Sequence, residues 1–336
     1  MPPIWKPKHE TYGATIDYIK GRKDGTIKSL VTPWERVNIA GVAGIEWGTA
    51  VLLGARSGVG KSLWKDQLVN QAFKLNPDQK FRVLQYEYEM PSVMSNVREL
   101  GAHLKRTYQY VCSAAENELS EMLSDQEIHR CVEYFKNKVS KIGDVWDSRV
   151  DIIEQHLTVP QFKQSVLDYA HQYPEDDILI TVDHIRLTEW NGDNENAMLR
   201  DLSKTIIELK RYVRPNNKRI SFILLNHLNR NILDQSRCDE GKYANYVTDQ
   251  DIYGSDTIFQ AVEIVIGMDC PAQRQIRYYG PSRYMIESDR ILVNHLLKVR
   301  NGPKGMIFNY ADYENMKINE IETPVKVATR TQTQTK

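Results

Sequence analysis

The most specific chemistry in the sequence sits at Gly60-Lys61-Ser62, which closes the stretch "VLLGARSGVGKSLW". An apolar run enters a loop of small residues there. The pattern G-x-x-x-x-G-K-[ST] runs from position 55, with Ala55 in place of the first Gly, followed by Arg56, Ser57, Gly58, Val59, Gly60, Lys61 and Ser62. The two glycines permit backbone angles that a Cβ forbids, so successive N–H groups turn toward phosphate oxygens at the start of the next helix. In such a loop the lysine reaches the β- and γ-phosphates and the Ser62 hydroxyl ligates Mg²⁺. Residues 55–62 are therefore the candidate binding site for a nucleoside triphosphate with Mg²⁺.

A phosphate loop needs acids beside it. "DDILITVDHIRL" places Asp183 at the end of an apolar run, where a carboxylate holds Mg²⁺ through water. "LQYEYEMP" offers Glu87 and Glu89 to orient the attacking water. Two residues apart on one strand, they share a face; Glu89, last before Met90-Pro91, reaches furthest and is preferred. "SFILLNHLNR" ends in Asn226-His227, where a polar side chain can sense the γ-phosphate; in isolation His227 reads more readily as a core histidine, and the phosphate loop beside it reverses that preference. "LLKVRNGPKG" puts Lys298 and Arg300 on one side of a strand end. A cation pair suits the charge developing on a γ-phosphate, but the spacing alone also fits two solvated charges.

The elements that must carry these residues alternate between strand and helix from Glu46 to Arg300. Strands are expected at "TAVLLGA", "KFRVLQYEYE", "DILITVD", "ISFILLNH", "EIVIGM" and "ILVNHLLKVR". Several are continuous apolar runs, as strands covered on both faces are. Ser124 with Glu127 and Thr158 with Gln161 form capping boxes before Ile128, Cys131, Val132 and Phe135 and before Phe162, Val166 and Tyr169. Met198, Leu202, Ile206, Leu209 and Val213 make one helical stripe, stopped by Pro215. A short helix over Tyr12, Ile16 and Ile19 is expected to end at Gly21 or Gly25. The expected fold class is α/β, a mostly parallel twisted sheet with helices on both faces. The domains expected are an arm with a linker helix at 1–40, the α/β domain at 41–318, and a polar, disordered tail at 319–336.

Bulk composition narrows the class further. Lys plus Arg and Asp plus Glu both number 44, so net charge is zero and a globally basic nucleic-acid coat is excluded, although a local basic stripe is not. Four cysteines, none in a CxxC pair, fit reduced thiols of a cytoplasmic protein. Neither an apolar leader nor a run of about 18 apolar residues appears, so no membrane partner is expected.

Taken in order, these motifs resemble the RecA-like ATPase domain of the DnaB-type hexameric replicative helicases. The resemblance is carried by "GARSGVGKS", "YEYEMP", "ILITVDHIRL", "NHLNR", "GSDTIFQ" and "LLKVRNGPKG", and covers roughly residues 11–318. It implies a P-loop NTPase fold, ATP and Mg²⁺ as cofactors, Glu89 as catalytic carboxylate and Asp183 as the Walker B acid. It also implies a nucleotide contact from Gln260, and Lys298 and Arg300 reaching the nucleotide of the next subunit. His227 stands where those helicases carry Gln. The helix near Tyr12–Ile19 matches the linker helix that docks on a neighbouring subunit.

Three departures bear on partners. The N-terminal helical domain that meets primase is missing, which puts primase contact through such a domain in doubt and fits a phage or mobile-element origin. Tyr253-Gly254 replaces an Arg-Glu step that contacts DNA backbone. The 231–248 loop mixes Arg237 and Lys242 with Asp234, Asp239 and Glu240. Candidate DNA contacts are Arg230, Arg237, Lys242 and Tyr253, the last by stacking on a base or simply packing. The expected partners are single-stranded DNA, a hexameric ring of copies, and a primase or helicase loader, in the cytoplasm or a phage host's cytoplasm. The alternative is a RecA-like recombinase or mediator that forms an ATP-switched filament on single-stranded DNA. A small-molecule P-loop kinase would need an acceptor pocket and lid that no segment suggests.

Overall fold

Strands that are apolar on both faces need two covers, and parity along each strand assigns the residues to them. The computed structural model describes residues 5, 7–112, 122–142, 145–185, 194–212, 214–238 and 245–326. Its centre is a nine-stranded sheet. In chain order the strands are β1 (Ala50–Ala55), β2 (Phe81–Glu87), β3 (Val150–Ile153), β4 (Asp177–Asp183), β5 (Ile220–His227), β6 (Ile264–Asp269), β7 (Ile291–Val299), β8 (Gly305–Asp312) and β9 (Lys317–Glu320). The spatial order is β9-β8-β7-β6-β1-β5-β4-β2-β3. The pairs from β6 through β3 are parallel, and β7, β8 and β9 run antiparallel to their neighbours.

The principal helices are α1 (Tyr12–Asp24), α2 (Lys61–Leu75), α3 (Ser92–Leu104), α4 (Asp125–Lys138), α5 (Val159–Gln172), α6 (Glu195–Arg211) and α7 (Ser255–Ala261). Leu52, Leu84, Ile180 and Leu224 face one core with Phe162 and Val166 of α5 and Leu202 and Ile206 of α6. Their sequence neighbours Val51, Leu53, Val83 and Leu225 face the other, with Leu63, Trp64, Leu68 and Ala72 of α2. Trp34 stacks on Trp64 at 4.3 Å and donates its indole N–H to the carbonyl of Ile318, tying the N-terminal segment to β9.

Register places the chemistry. Ala55 pairs with His227 and Glu87 with Asp183, so the C-terminal ends of β1, β5, β4 and β2 share one rim. Because β7 runs the other way, Lys298 lies opposite Val265, which lies opposite Leu52. The end of β7 is thus at the other rim.

Several expectations need correction. The first helix passes through Gly21 and ends at Gly25, whose φ of +78° caps it. A Cβ at Gly21 would come within 2.8 Å of the Ile27 side chain, which would have to shift. Both capping boxes form, but of the stripe after Ser124 only Cys131 is buried, while Ile128 and Val132 are exposed. Strands β3, β8 and β9 were not expected. The first has only four residues, and the other two carry polar residues such as Asn309 and Asn319, so none reads as an apolar run. The boundary at 318 falls inside β9, and Lys326 bridges to Tyr284, so order continues past it. Val213 and residues 327–336 lie outside the described residues. The four cysteines form no disulfide, and among the described residues no helix is long and apolar enough to cross a membrane.

One buried network makes stability depend on acid. His295 lies 2.8 Å from the Tyr279 hydroxyl, which donates to Asp269, itself paired with Arg274. Burial, reinforced by Arg274, pushes the His295 pKa down to about 3. An unfolded histidine titrates near 6.5, so between those values the unfolded chain holds a proton that the native chain lacks. Native stability must fall as pH drops through this window, by up to ~1.4 kcal/mol per unit from this residue. Urea midpoints at pH 7 and pH 4.5 should differ less in His295→Asn than in the parent chain; an equal difference would show that another group carries the acid sensitivity.

Candidate nucleotide site at the strand ends

The loop between β1 and α2 has the geometry of a phosphate cradle. Gly58 and Gly60 sit at φ +77° and +114°, conformations that L side chains rarely adopt, and a Cβ at Gly58 would meet nothing within 4 Å. Gly60 is the N-cap of α2, so the first amides of that helix point out of the loop, where anions bind. Arg56 donates to the carbonyl of Leu228 at 2.9 Å, stitching the loop to the segment after β5. The Lys61 side chain folds back under the loop, with Nζ 3.5 Å from the carbonyl of Ala55 and 3.4 Å from His227 Nδ1. Burial lowers its pKa, against the pull of Glu89 and Asp183.

Next to the loop stands a site that fits Mg²⁺. The Ser62 hydroxyl donates to Asp183 Oδ2 at 2.7 Å. Asp183 Oδ1 is buried without a hydrogen-bond partner, and a buried carboxylate oxygen is costly to leave so. An all-oxygen pair of this kind is the donor set a hydrated Mg²⁺ takes.

Behind it is a charge cluster built around Lys65, one helical turn beyond Lys61. Its ammonium is fully buried; it bonds Glu87 and lies 3.2 Å from Asp66 and 3.7 Å from Asp183. Burial alone would lower its pKa, but Asp66, Glu87 and Asp183 together hold it above the ordinary lysine value. Burial pushes Glu87 up to about 6, against the pull of Lys65.

Glu87 and Glu89 do not share a strand face. The strand stops at Glu87, because the amides of Tyr88 and Glu89 both turn to the carbonyl of Asp183, at 2.8 and 3.2 Å. That turn sends Glu87 inward to Lys65 and leaves Glu89 exposed on the rim. There a carboxylate oxygen of Glu89 and one ring nitrogen each of His184 and His227 lie within 4.8 Å of one another. The two imidazoles meet edge to face, with centroids 4.3 Å apart at 87°.

The expected DNA contacts fare differently. Arg230 is exposed at the start of a short helical turn three residues past His227. Arg237, expected to bind DNA, instead grips Asp251 with two bonds of 2.9 Å and the carbonyl of Tyr246, so its guanidinium clamps the loop. Tyr253 packs against the core and donates its hydroxyl to Glu195 at 2.8 Å, which favours packing over base stacking. Lys242 and residues 188–193 of the loop after Asp183 lie outside the described residues.

Gln260, expected at the nucleotide, lies at the last turn of α7, just before β6, on the rim away from the phosphate loop. Lys298 donates to the carbonyl of Phe259 there, and Arg300 lies 3.3 Å from Glu263 with more than half of its side chain exposed. The structure therefore gathers Gln260, Lys298 and Arg300, but not at this chain's own loop.

Two residues at the site went unrecognised in the sequence, Lys65 and His184. The signal for Lys65 was a lysine on the buried face of α2, between Trp64 and Leu68; for His184 it was a titratable residue directly after Asp183.

The sequence matches no family model and no curated protein. Solved structures do match. A helicase ATPase domain solved on its own superposes with a TM-score of 0.71 at 15% identity, over 95% of this chain and 100% of that one. A DnaB-like replicative helicase, described with its interactions with primase, superposes with a TM-score of 0.68 at 16% identity, over 95% of this chain and 68% of that one. The fold is thus that of a RecA-like helicase ATPase domain.

Removing Lys65 tests the charge cluster. Lys65→Met strands three carboxylates around a buried gap and should cost about 3–5 kcal/mol in urea denaturation. Adding Glu87→Gln to that variant should recover part of the loss. No recovery in the double variant would mean that Lys65 acts through packing.

Proposed function

We propose that this chain is an ATP-dependent DNA helicase motor whose active sites form between copies. The observation that carries this reading is the split of the catalytic set between two rims of one sheet. Ala55, Ser62, Asp183, Glu89 and His227 gather at one rim, and Gln260, Lys298 and Arg300 at the other. The five steps of β1 separate the rims by about 17 Å, too far for Arg300 to reach a γ-phosphate on its own loop. A second copy, placed head to tail, brings its Lys298 and Arg300 to that phosphate. Repeated, this contact closes a ring or opens into a filament.

Within each site the α2 amides and Lys61 hold the phosphates, and Ser62 and Asp183 would hold a Mg²⁺ ion, which would supply positive charge to offset that of the phosphates. Glu89 orients and deprotonates the water, and Arg300 from the neighbour stabilises the leaving charge. His227 couples the γ-phosphate to the loops that follow it. Its carbonyl accepts from the Tyr253 amide at 3.2 Å, Asn226 donates to the Tyr253 carbonyl at 2.8 Å, and Leu228 bridges to Ile252. Loss of the γ-phosphate thereby moves the segment around the exposed Arg230, which faces single-stranded DNA in the pore.

Helix α1 supports the ring. Tyr12, Ile16 and Ile19 fall on one helical face and are 55, 50 and 55% exposed, while the far end of the helix is pinned to its own domain through Arg22 and Glu46 at 3.0 Å. A neighbouring copy covers that face. A primase, the partner named for the DnaB-like neighbour, or a helicase loader completes the set of partners, and the work is done in the cytoplasm. The filament reading is the weaker one, because the Lys298-to-Pro303 segment resembles the hexameric helicases.

Glu89→Gln should keep ATP binding and lose hydrolysis at least about 100-fold, the scale of a general base. Subunits carrying Arg300→Ala, mixed into the parent protein, should poison their neighbours. A loss of activity merely proportional to the mutant fraction would refute the shared site. Electron microscopy with an ATP analogue and single-stranded DNA should show rings, and a forked duplex should be unwound; filaments without unwinding would favour the recombinase.

A further inference from the structure

We propose that Glu89, His184 and His227 form a binding site for a transition-metal ion, Zn²⁺ by chemical class, distinct from the Mg²⁺ pair Ser62–Asp183. The three residues follow or end β2, β4 and β5, which are adjacent in the sheet, so the fold itself converges them. Their ligand atoms already lie within 4.8 Å of one another. A tetrahedral ion with bonds of about 2.0–2.1 Å needs ligand atoms about 3.4 Å apart. Rotation of the exposed Glu89 side chain supplies the remaining approach, while buried His184 gives the site a fixed wall.

The donor types decide the metal. Two imidazoles and one carboxylate are the ligands of open zinc sites, with further positions left for water. Mg²⁺ takes oxygen and dehydrates reluctantly, so it is matched by Ser62 and Asp183 and not by two ring nitrogens. Charge permits a cation as well. Asp66, Glu87, Glu89 and Asp183 surround the rim, against Arg56, Lys61 and Lys65. Lys61, 3.4 Å from His227 Nδ1, opposes the ion.

The consequence rests on the proposed role of Glu89 in hydrolysis. A carboxylate bound to the ion cannot take the water's proton, and a metallated His227 cannot sense the γ-phosphate. The ion is then a reversible brake on the motor.

The full chain, stripped with a chelator and free of nucleotide, is titrated with Zn²⁺ against a chromophoric chelator, and in parallel with Co²⁺ for its ligand-field bands. One ion per chain is expected. His184→Gln and His227→Gln should each weaken binding by at least about 100-fold, beyond the effect of losing a supporting partner. Circular dichroism confirms that each variant is folded, and Cys112→Ser should bind as the parent does. Absence of stoichiometric binding, or equal binding by both histidine variants, overturns the site. Stoichiometric Zn²⁺ should also slow Mg-ATP hydrolysis by at least about 10-fold, reversibly on chelation, within the range that general-base catalysis supplies. Undiminished hydrolysis by the loaded protein overturns the brake. A chain that binds Zn²⁺ but hydrolyses no ATP when stripped upholds the metal site and counts against the motor, so the two failures are separable.

Discussion

Everything at the active rim is referred to one buried ammonium, Lys65. Three carboxylates from three elements surround it: Asp66 on α2, Glu87 at the end of β2 and Asp183 at the end of β4. Brought together without a cation, they would repel one another in a medium that screens poorly. With it, they fix the helix that starts in the phosphate loop against the two strands that carry the acids. Asp183 is thereby aimed at Ser62, and its carbonyl is left to receive the amides of Tyr88 and Glu89. The position of Glu89, the proposed water-activating carboxylate, thus depends on an ion pair two residues before it.

The second constraint is the direction of the strands. In a parallel sheet every C-terminal end reaches the same rim, so loop residues from β1, β2, β4 and β5 meet without any long excursion. The antiparallel β7 breaks that rule and delivers Lys298 and Arg300 to the opposite rim. In the proposed motor, the topology that assembles one half of the site on one side would present the complementary half on the other, and copies in a head-to-tail arrangement would complete it.

What was legible in the sequence follows the range of the interactions. The phosphate loop, Asp183 and both capping boxes were legible because each is set by residues within a few positions of one another. Strands β4 and β5 were legible to the residue because burial on both faces leaves an uninterrupted apolar run. Glu87 and Glu89 were half legible: their alternation holds only while the strand lasts, and it stops at Glu87 because of a carbonyl on another strand. Arg237 was not legible, and Tyr253 stayed open between stacking and packing, because their partners, Asp251 and Glu195, lie 14 and 58 residues away. A cation or aromatic in a polar loop looks available until such a partner is known. Strands β8 and β9 hid behind polar side chains at the sheet edge.

Charge around the nucleotide adds a reason for the split site that does not depend on resemblance. The rim holds four carboxylates, Asp66, Glu87, Glu89 and Asp183, against Arg56, Lys61 and Lys65. Lys65 is committed to the acids, and Arg56 donates to the Leu228 carbonyl. Lys61 is thus the cation nearest the phosphates, and a Mg²⁺-bound triphosphate still carries net negative charge. Charge gathering on the γ-phosphate during cleavage would then meet acids with little to offset them. At the opposite rim Lys210, Lys298 and Arg300 crowd around Glu263, and burial, helped by Arg300 and Lys210, lowers the Lys298 pKa below that of a free lysine. Among the described residues around Glu263, cations outnumber the acid. In the proposed head-to-tail arrangement these cations would meet the acids of the nucleotide rim, which would favour that orientation.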